Sequence, residues 1–186
     1  NGVAVVKTIE IDPRPRIAVT NDAVICYDGN AVFDVTTVNT AVSAGGQWRY
    51  DVTIVYPADV SGTYGAAGTT VTVPNVTTTG AGAFTDDLTN TGNIVRTVQY
   101  TFTPHILPGD AGAECQNGVA VVKTIEIDPR PRIAVTNDAV ICYDGNAVFD
   151  VTTVNTAVSA GGQWRYDVTI VYPADVSGTY GAAGTT

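Results

Sequence analysis

The chain has 186 residues, 45% of them hydrophobic, and carries 18 acidic against 9 basic residues, for a net charge of −9. That acidity excludes a nucleic-acid binder, which needs a basic footprint. No apolar run approaches the roughly 20 residues of a membrane helix, so no membrane insertion is expected in this segment.

Residues 1–70 recur without a mismatch as residues 117–186, which sets a period of 116 residues. A period of that length matches an independently folding domain rather than a solenoid repeat. Identity that extends into the loops implies recent copying. Because the chain reads as a window cut from a longer array, the expected neighbours are identical repeats.

In chain order, Gly2 to Asp12 is rich in Val, Ile and Thr and predicts a long strand. Val3, Val5, Ile9 and Ile11 form its apolar face, with Lys7 among them. Asp12, Pro13, Arg14, Pro15 and Arg16 follow, and recur as Asp128, Pro129, Arg130, Pro131 and Arg132. Two prolines at alternate positions fix φ and remove two donors, so a strand ladder stops here. This segment is read as a semi-rigid inter-domain junction. Residues 1–15 then form the last strand of a preceding repeat, 16–131 one complete domain, and 132–186 the first half of the next.

Inside that domain, Ile17 to Thr20, Ala23 to Tyr27 and Ala31 to Val38 predict strands, with Asp28-Gly29-Asn30 a turn. Ser43 to Gly46 is a loop. Gln47 to Tyr56 alternates, with Trp48, Tyr50, Val52, Ile54 and Tyr56 on one face, as in a half-buried antiparallel strand. Pro57 to Gly68 is irregular, Thr69 to Val73 a short strand, Asn75 to Gly82 a loop, and Ala83 to Leu88 leads into a turn. Ile94 to Thr103 alternates again and places Val98, Tyr100 and Phe102 in the core. Pro104 to Gln116 reads as a loop, and Asn117 to Asp128 as the closing strand. No segment shows a 3.6-residue period. The expected class is all-β: tandem immunoglobulin-like antiparallel β-sandwiches, beads on a string.

Each period holds two cysteines, Cys26 and Cys115, and Cys142 is the copy of Cys26. An even count in a Thr- and Gly-rich chain fits an oxidising compartment. A bond confined to one unit would be Cys26–Cys115, closing a loop whose chain entropy is worth roughly 4–5 kcal/mol.

Ala23 to Gly29 (AVICYDG), the Trp strand Gln47 to Tyr50, Phe84 to Asn90 (FTDDLTN), the Tyr strand Val98 to Phe102, Cys115, and Thr8 to Pro15 (TIEIDPRP) follow an order that resembles the PKD-like domains. These are immunoglobulin-like repeats of giant bacterial cell-surface adhesins. The resemblance covers the whole period. It implies a secreted, extracellular protein in which such domains serve as the stalk of a surface fibre.

The inventory for chemistry is thin, and no enzyme, cofactor or metal is expected. His105 stands without a positioned partner and reads as a loop residue. Asp86 and Asp87 are adjacent, would face opposite sides of a strand, and read as a solvated strand end. Asp12, Asp22, Asp128 and Asp138 flank the junctions, but no regular calcium loop exists. Lys7 and its copy Lys123 read as snorkelling lysines. Tyr64, in a Gly- and Ala-rich loop, could touch a neighbouring unit or another fibre. The expected role is the structural shaft of the fibre. The alternatives are a self-assembling filament subunit and a glycan- or protein-binding module repeated for avidity.

Overall fold

The structure is a computed structural model and describes residues 2–39, 42–109, 112–138 and 140–186. Asn1, where the first copy begins, and Asp110 and Ala111, within the expected loop from Pro104 to Gln116, lie outside the described residues. The fold is all-β, with no helix among the described residues.

Two sheets face each other. One contains β1 (Ile17–Asn21), β3 (Asp28–Thr37), β7 (Gly80–Asn90) and β5 (Val60–Ser61), in the order β1-β3-β7-β5. The other contains β2 (Val24–Ile25), β9 (Val121–Ile127), β8 (Arg96–Leu107), β4 (Gln47–Val55) and β6 (Thr70–Val76), in the order β2-β9-β8-β4-β6. All pairings within these sheets are antiparallel except β2 with β9. A separate hairpin joins β10 (Ile133–Asn137) to β11 (Phe149–Thr153).

The alternating strands supply the core. Tyr50, Val52 and Ile54 of β4 and Val98, Tyr100 and Phe102 of β8 are fully buried or nearly so. Phe33 of β3 meets them from the opposite sheet, 4.5 Å from Tyr100 and 5.1 Å from Phe102 between ring centres. Such tilted pairs add to the area that they bury. Trp48 departs from the expected core. It is half-buried near the start of β4, two residues short of the buried stretch that starts at Tyr50.

Three local expectations are corrected by strand pairing. Gly2 to Asp12 forms no strand; Val3 is 92% and Ile9 87% exposed. The identical residues of the second copy form β9 between β2 and β8, with Ile125 and Ile127 wholly buried. The sequence is strand-competent, but only one copy has partners. Asp28-Gly29-Asn30 is not a turn but the start of β3, paired with Thr89, Leu88 and Asp87 of β7. Its copy has no β7 opposite it and makes the turn: Gly145 N donates to Cys142 O at 2.9 Å and Asp144 takes φ 59°. Pro104 to Leu107 is strand rather than loop, with Tyr50 opposite Pro104 and Arg49 opposite His105. The β8–β9 ladder ends at Phe102 and Val121, so Pro104 has a ladder neighbour on one side only, where proline is tolerated.

The second copy repeats the first hairpin in the same register, Ile133 opposite Thr153 as Ile17 is opposite Thr37. The copy of β4, residues 163–171, stays out of any strand. Phe149, the copy of Phe33, is 61% exposed. Phe33→Ala should therefore cost about 3–5 kcal/mol in urea unfolding. Phe149→Ala should stay within about 0.5 kcal/mol, as for a surface position. Equal effects would contradict this difference in packing.

Candidate joint and buried polar network

The junction residues make the same bonds to the segment downstream of them in both copies. Asp12 accepts from Ser43 N at 2.6 Å and from Ser43 Oγ at 2.9 Å; Asp128 accepts from Ser159 N at 2.7 Å and Oγ at 3.0 Å. Arg16 N and Arg132 N each donate to an asparagine side chain, Asn39 and Asn155, at 2.8 Å. Val38 N and Val154 N donate to the Arg16 and Arg132 carbonyls at 3.0 Å. One bond is not repeated: Asn39 Nδ2 donates to Arg14 O, whereas Asn155 Nδ2 is buried without a partner.

The second junction is also gripped from behind. Asp128 N donates to Ile25 O at 3.0 Å, and the Arg130 guanidinium lies 5.6 Å from the Tyr27 ring centre. Thr156 N donates to Asn93 O at 3.2 Å, directly across the joint. Asn155 and Ser159 are buried, whereas Asn39 and Ser43, with the same local bonds, are half-buried. The prolines divide the contact. Pro129 is buried where its copy Pro13 is exposed, and Pro15 is buried where its copy Pro131 is exposed. The single sandwich of residues 17–127 lies downstream of Pro15 and upstream of Pro129, the two prolines that are buried.

The cysteines do not pair. Cys26, Cys115 and Cys142 are all free. Cys26 follows Ile25, which is opposite Ile127, and Ile127 is opposite Arg96 on β8. Cys115 is bridged to Ile106, ten residues further along that strand. Ten strand residues span about 33 Å, and a disulfide requires Cα atoms within about 7 Å. The sandwich therefore excludes the expected Cys26–Cys115 bond within one unit.

Two polar groups expected at the surface are inside. Asp86 and Asp87 do face opposite sides of β7, but Asp86 is wholly buried. It accepts from Tyr56 Oη at 2.7 Å, Tyr100 Oη at 2.9 Å and Thr63 N at 2.7 Å. Gly62 makes room for it: a Cβ there would lie 2.5 Å from Asp86 Oδ1. Tyr100 is on β8 and Tyr56 directly follows β4, both in the sheet opposite β7, so the carboxylate ties the two sheets together. Burial and then the neighbouring carboxylate raise the Tyr100 and Tyr56 phenols well above their usual range. Burial pushes Tyr50 up to about 12. Tyr64 is raised too, chiefly by burial, and its ring stacks on Phe84 at 5.1 Å, which folds its loop onto the sandwich.

His105 is in β8 and 5% exposed. Its Nδ1 lies 2.9 Å from Glu114 Oε1 and its Nε2 3.6 Å from Asp51 Oδ1. His105 Nε2 and Glu114 Oε1 are buried without a hydrogen-bond partner. No group of three or more His, Cys, Asp or Glu side chains suited to a metal occurs among the described residues.

The raised phenols favour the protonated tyrosines in the fold. Their contribution to stability is complete below the unfolded value of about 10 and is lost as pH rises beyond it. Absorbance titration should show Tyr50, Tyr56 and Tyr100 ionising late and together with unfolding. Normal titration of all nine tyrosines in the folded chain would contradict the buried network. At the joint, Asp128→Ala removes both bonds to Ser159. It should widen the distribution of shapes seen by small-angle scattering while shifting the unfolding of the sandwich by no more than about 0.5 kcal/mol. An unchanged distribution would show that Asp128 does not hold the joint.

No family model, curated protein or solved structure matches the chain.

Proposed function

We propose that the chain is a segment of the shaft of a long, repetitive, secreted bacterial surface fibre or adhesin, non-catalytic, with one immunoglobulin-like sandwich per 116 residues. The observation that carries this reading is the division of the junction prolines between two neighbours. A flexible linker leaves its residues to solvent. Here each proline position is covered in one of its two copies, and by a different side. With a sandwich on both sides, both prolines are enclosed and bending at the joint is limited. Each unit adds roughly 40 Å of reach, estimated from strand length. The net negative charge keeps such an array extended and soluble.

The order of segments that resembles PKD-like domains supports the same role. The partners are then neighbouring identical repeats, and the setting is the cell exterior. A second reading, self-assembly by strand exchange, is favoured by one observation. Residues 2–12 expose Val3, Val5, Ile9 and Ile11, and their sequence is that of a strand that inserts into a sheet. Exposed strands of this kind invite pairing with another chain.

Electron microscopy of a chain carrying several periods separates the two. Single thin threads, beaded at about one domain length, are expected for the shaft. Thick ordered filaments would replace the shaft with the self-assembling subunit.

A further inference from the structure

The two cysteines of a period stand at opposite ends of the sandwich, and each borders the junction sequence Asp-Pro-Arg. Cys115 lies in one wall of a cleft whose other wall is Asp12, Pro13 and Arg14. Arg14 Nε donates to Asn117 O across it at 2.8 Å. Cys26 borders the copy of that tripeptide, between Ile25, whose carbonyl takes the Asp128 amide, and Tyr27, whose ring carries Arg130. Both thiols are accessible: Cys26 is exposed and Cys115 partly so.

The two copies of the junction grip the segment downstream of them through the same bonds, Asp12 to Ser43 as Asp128 to Ser159, and Arg16 to Asn39 as Arg132 to Asn155. The place of Cys115 against residues 12–14 therefore carries over to a following unit. There, the equivalent thiol borders residues 128–130, where Cys26 already stands. We propose that, wherever the period continues, Cys26 of one unit and the Cys115-equivalent of the next form a disulfide across the joint. The even cysteine count is then satisfied between units, while the length of the sheet forbids it within one.

The oxidant is a low-molecular-weight disulfide. One cysteine thiolate attacks it and expels a small thiolate, leaving a mixed disulfide. The second cysteine thiolate attacks the protein sulfur of that mixed bond and expels the other small thiolate. One S–S bond forms in the protein, one is lost from the oxidant, and the two thiol protons pass to solvent or to the released thiolates. The bond closes the joint covalently, in parallel with the peptide chain.

This inference rests on the tandem-sandwich reading, and one experiment separates the two. The chain is lengthened after Thr186 by a repeat of residues 71–127, which completes the second copy and brings the cysteines to four. Calorimetry of the reduced chain should give about twice the unfolding enthalpy of the 186-residue chain. A single unfolding unit would overturn the tandem reading and this proposal with it. Treated with oxidised glutathione, the lengthened chain should keep two titratable thiols. Cys26 and Cys142 sit in identical peptides, so serine variants identify the partner. Cys26→Ser should abolish the bond and leave three thiols, whereas Cys142→Ser should keep the bond and leave one. Doubled enthalpy with four free thiols, or a bond that survives Cys26→Ser, overturns the disulfide and leaves the tandem reading standing.

Discussion

A β-strand satisfies its backbone amides and carbonyls only through other strands, and the whole of this structure depends on where those partners are. The chain carries its own control, because identical residues occur with and without them. Residues 121–127 have β2 on one side and β8 on the other and form a strand that buries Ile125 and Ile127; the identical residues 5–11 have neither, form no strand and are exposed. Asp28-Gly29-Asn30 enters a ladder against β7, and the same tripeptide turns back on itself where β7 is lacking. The cost of leaving polar backbone unpaired in a core exceeds any local preference that these residues have.

That dependence explains which features could be read from the sequence. The alternation in Gln47 to Tyr56 and in Ile94 to Thr103 marks the two central strands because both have one face on the core, and their buried residues are those on the apolar face. The junction is legible because proline acts on its own backbone without a partner. Asp86 is not legible, since its burial requires Tyr56, Tyr100 and Thr63, none of them near it in sequence. His105 is hidden by the proline before it, which argues for a loop until the one-sided ladder is known. The cysteine pairing fails for a related reason. Counting establishes that the number is even, but only the register of β8 shows that the two lie a full strand apart.

The joint is built from short-range parts. A carboxylate on a serine, an asparagine on an arginine amide, and a guanidinium over a tyrosine ring each contribute modestly. Their effect is geometric. Between them they hold Asp128, Arg130 and Arg132, three of five successive residues, where a polar linker of that length would be left free. The restraints are small, and they act on a segment that proline has already restricted.

Identical neighbours carry a folding hazard, since either copy of residues 17–70 is chemically suited to complete the half-sandwich of residues 71–127. The shortness of the junction settles the competition within one chain. The start of β1 lies beside the start of β9, as the contacts of Val119 with Pro15 and of Asn21 with Thr124 show. For the later copy to take that place, residues 128–132 would have to run back along most of β9, about 20 Å, and reverse direction as well. The six Cα steps from Ile127 to Ile133 reach about 20–22 Å when fully extended, which leaves no length for the reversal. The same brevity thus enforces native connectivity, and the chain avoids pairing residues 71–127 with the wrong copy without any divergence in sequence.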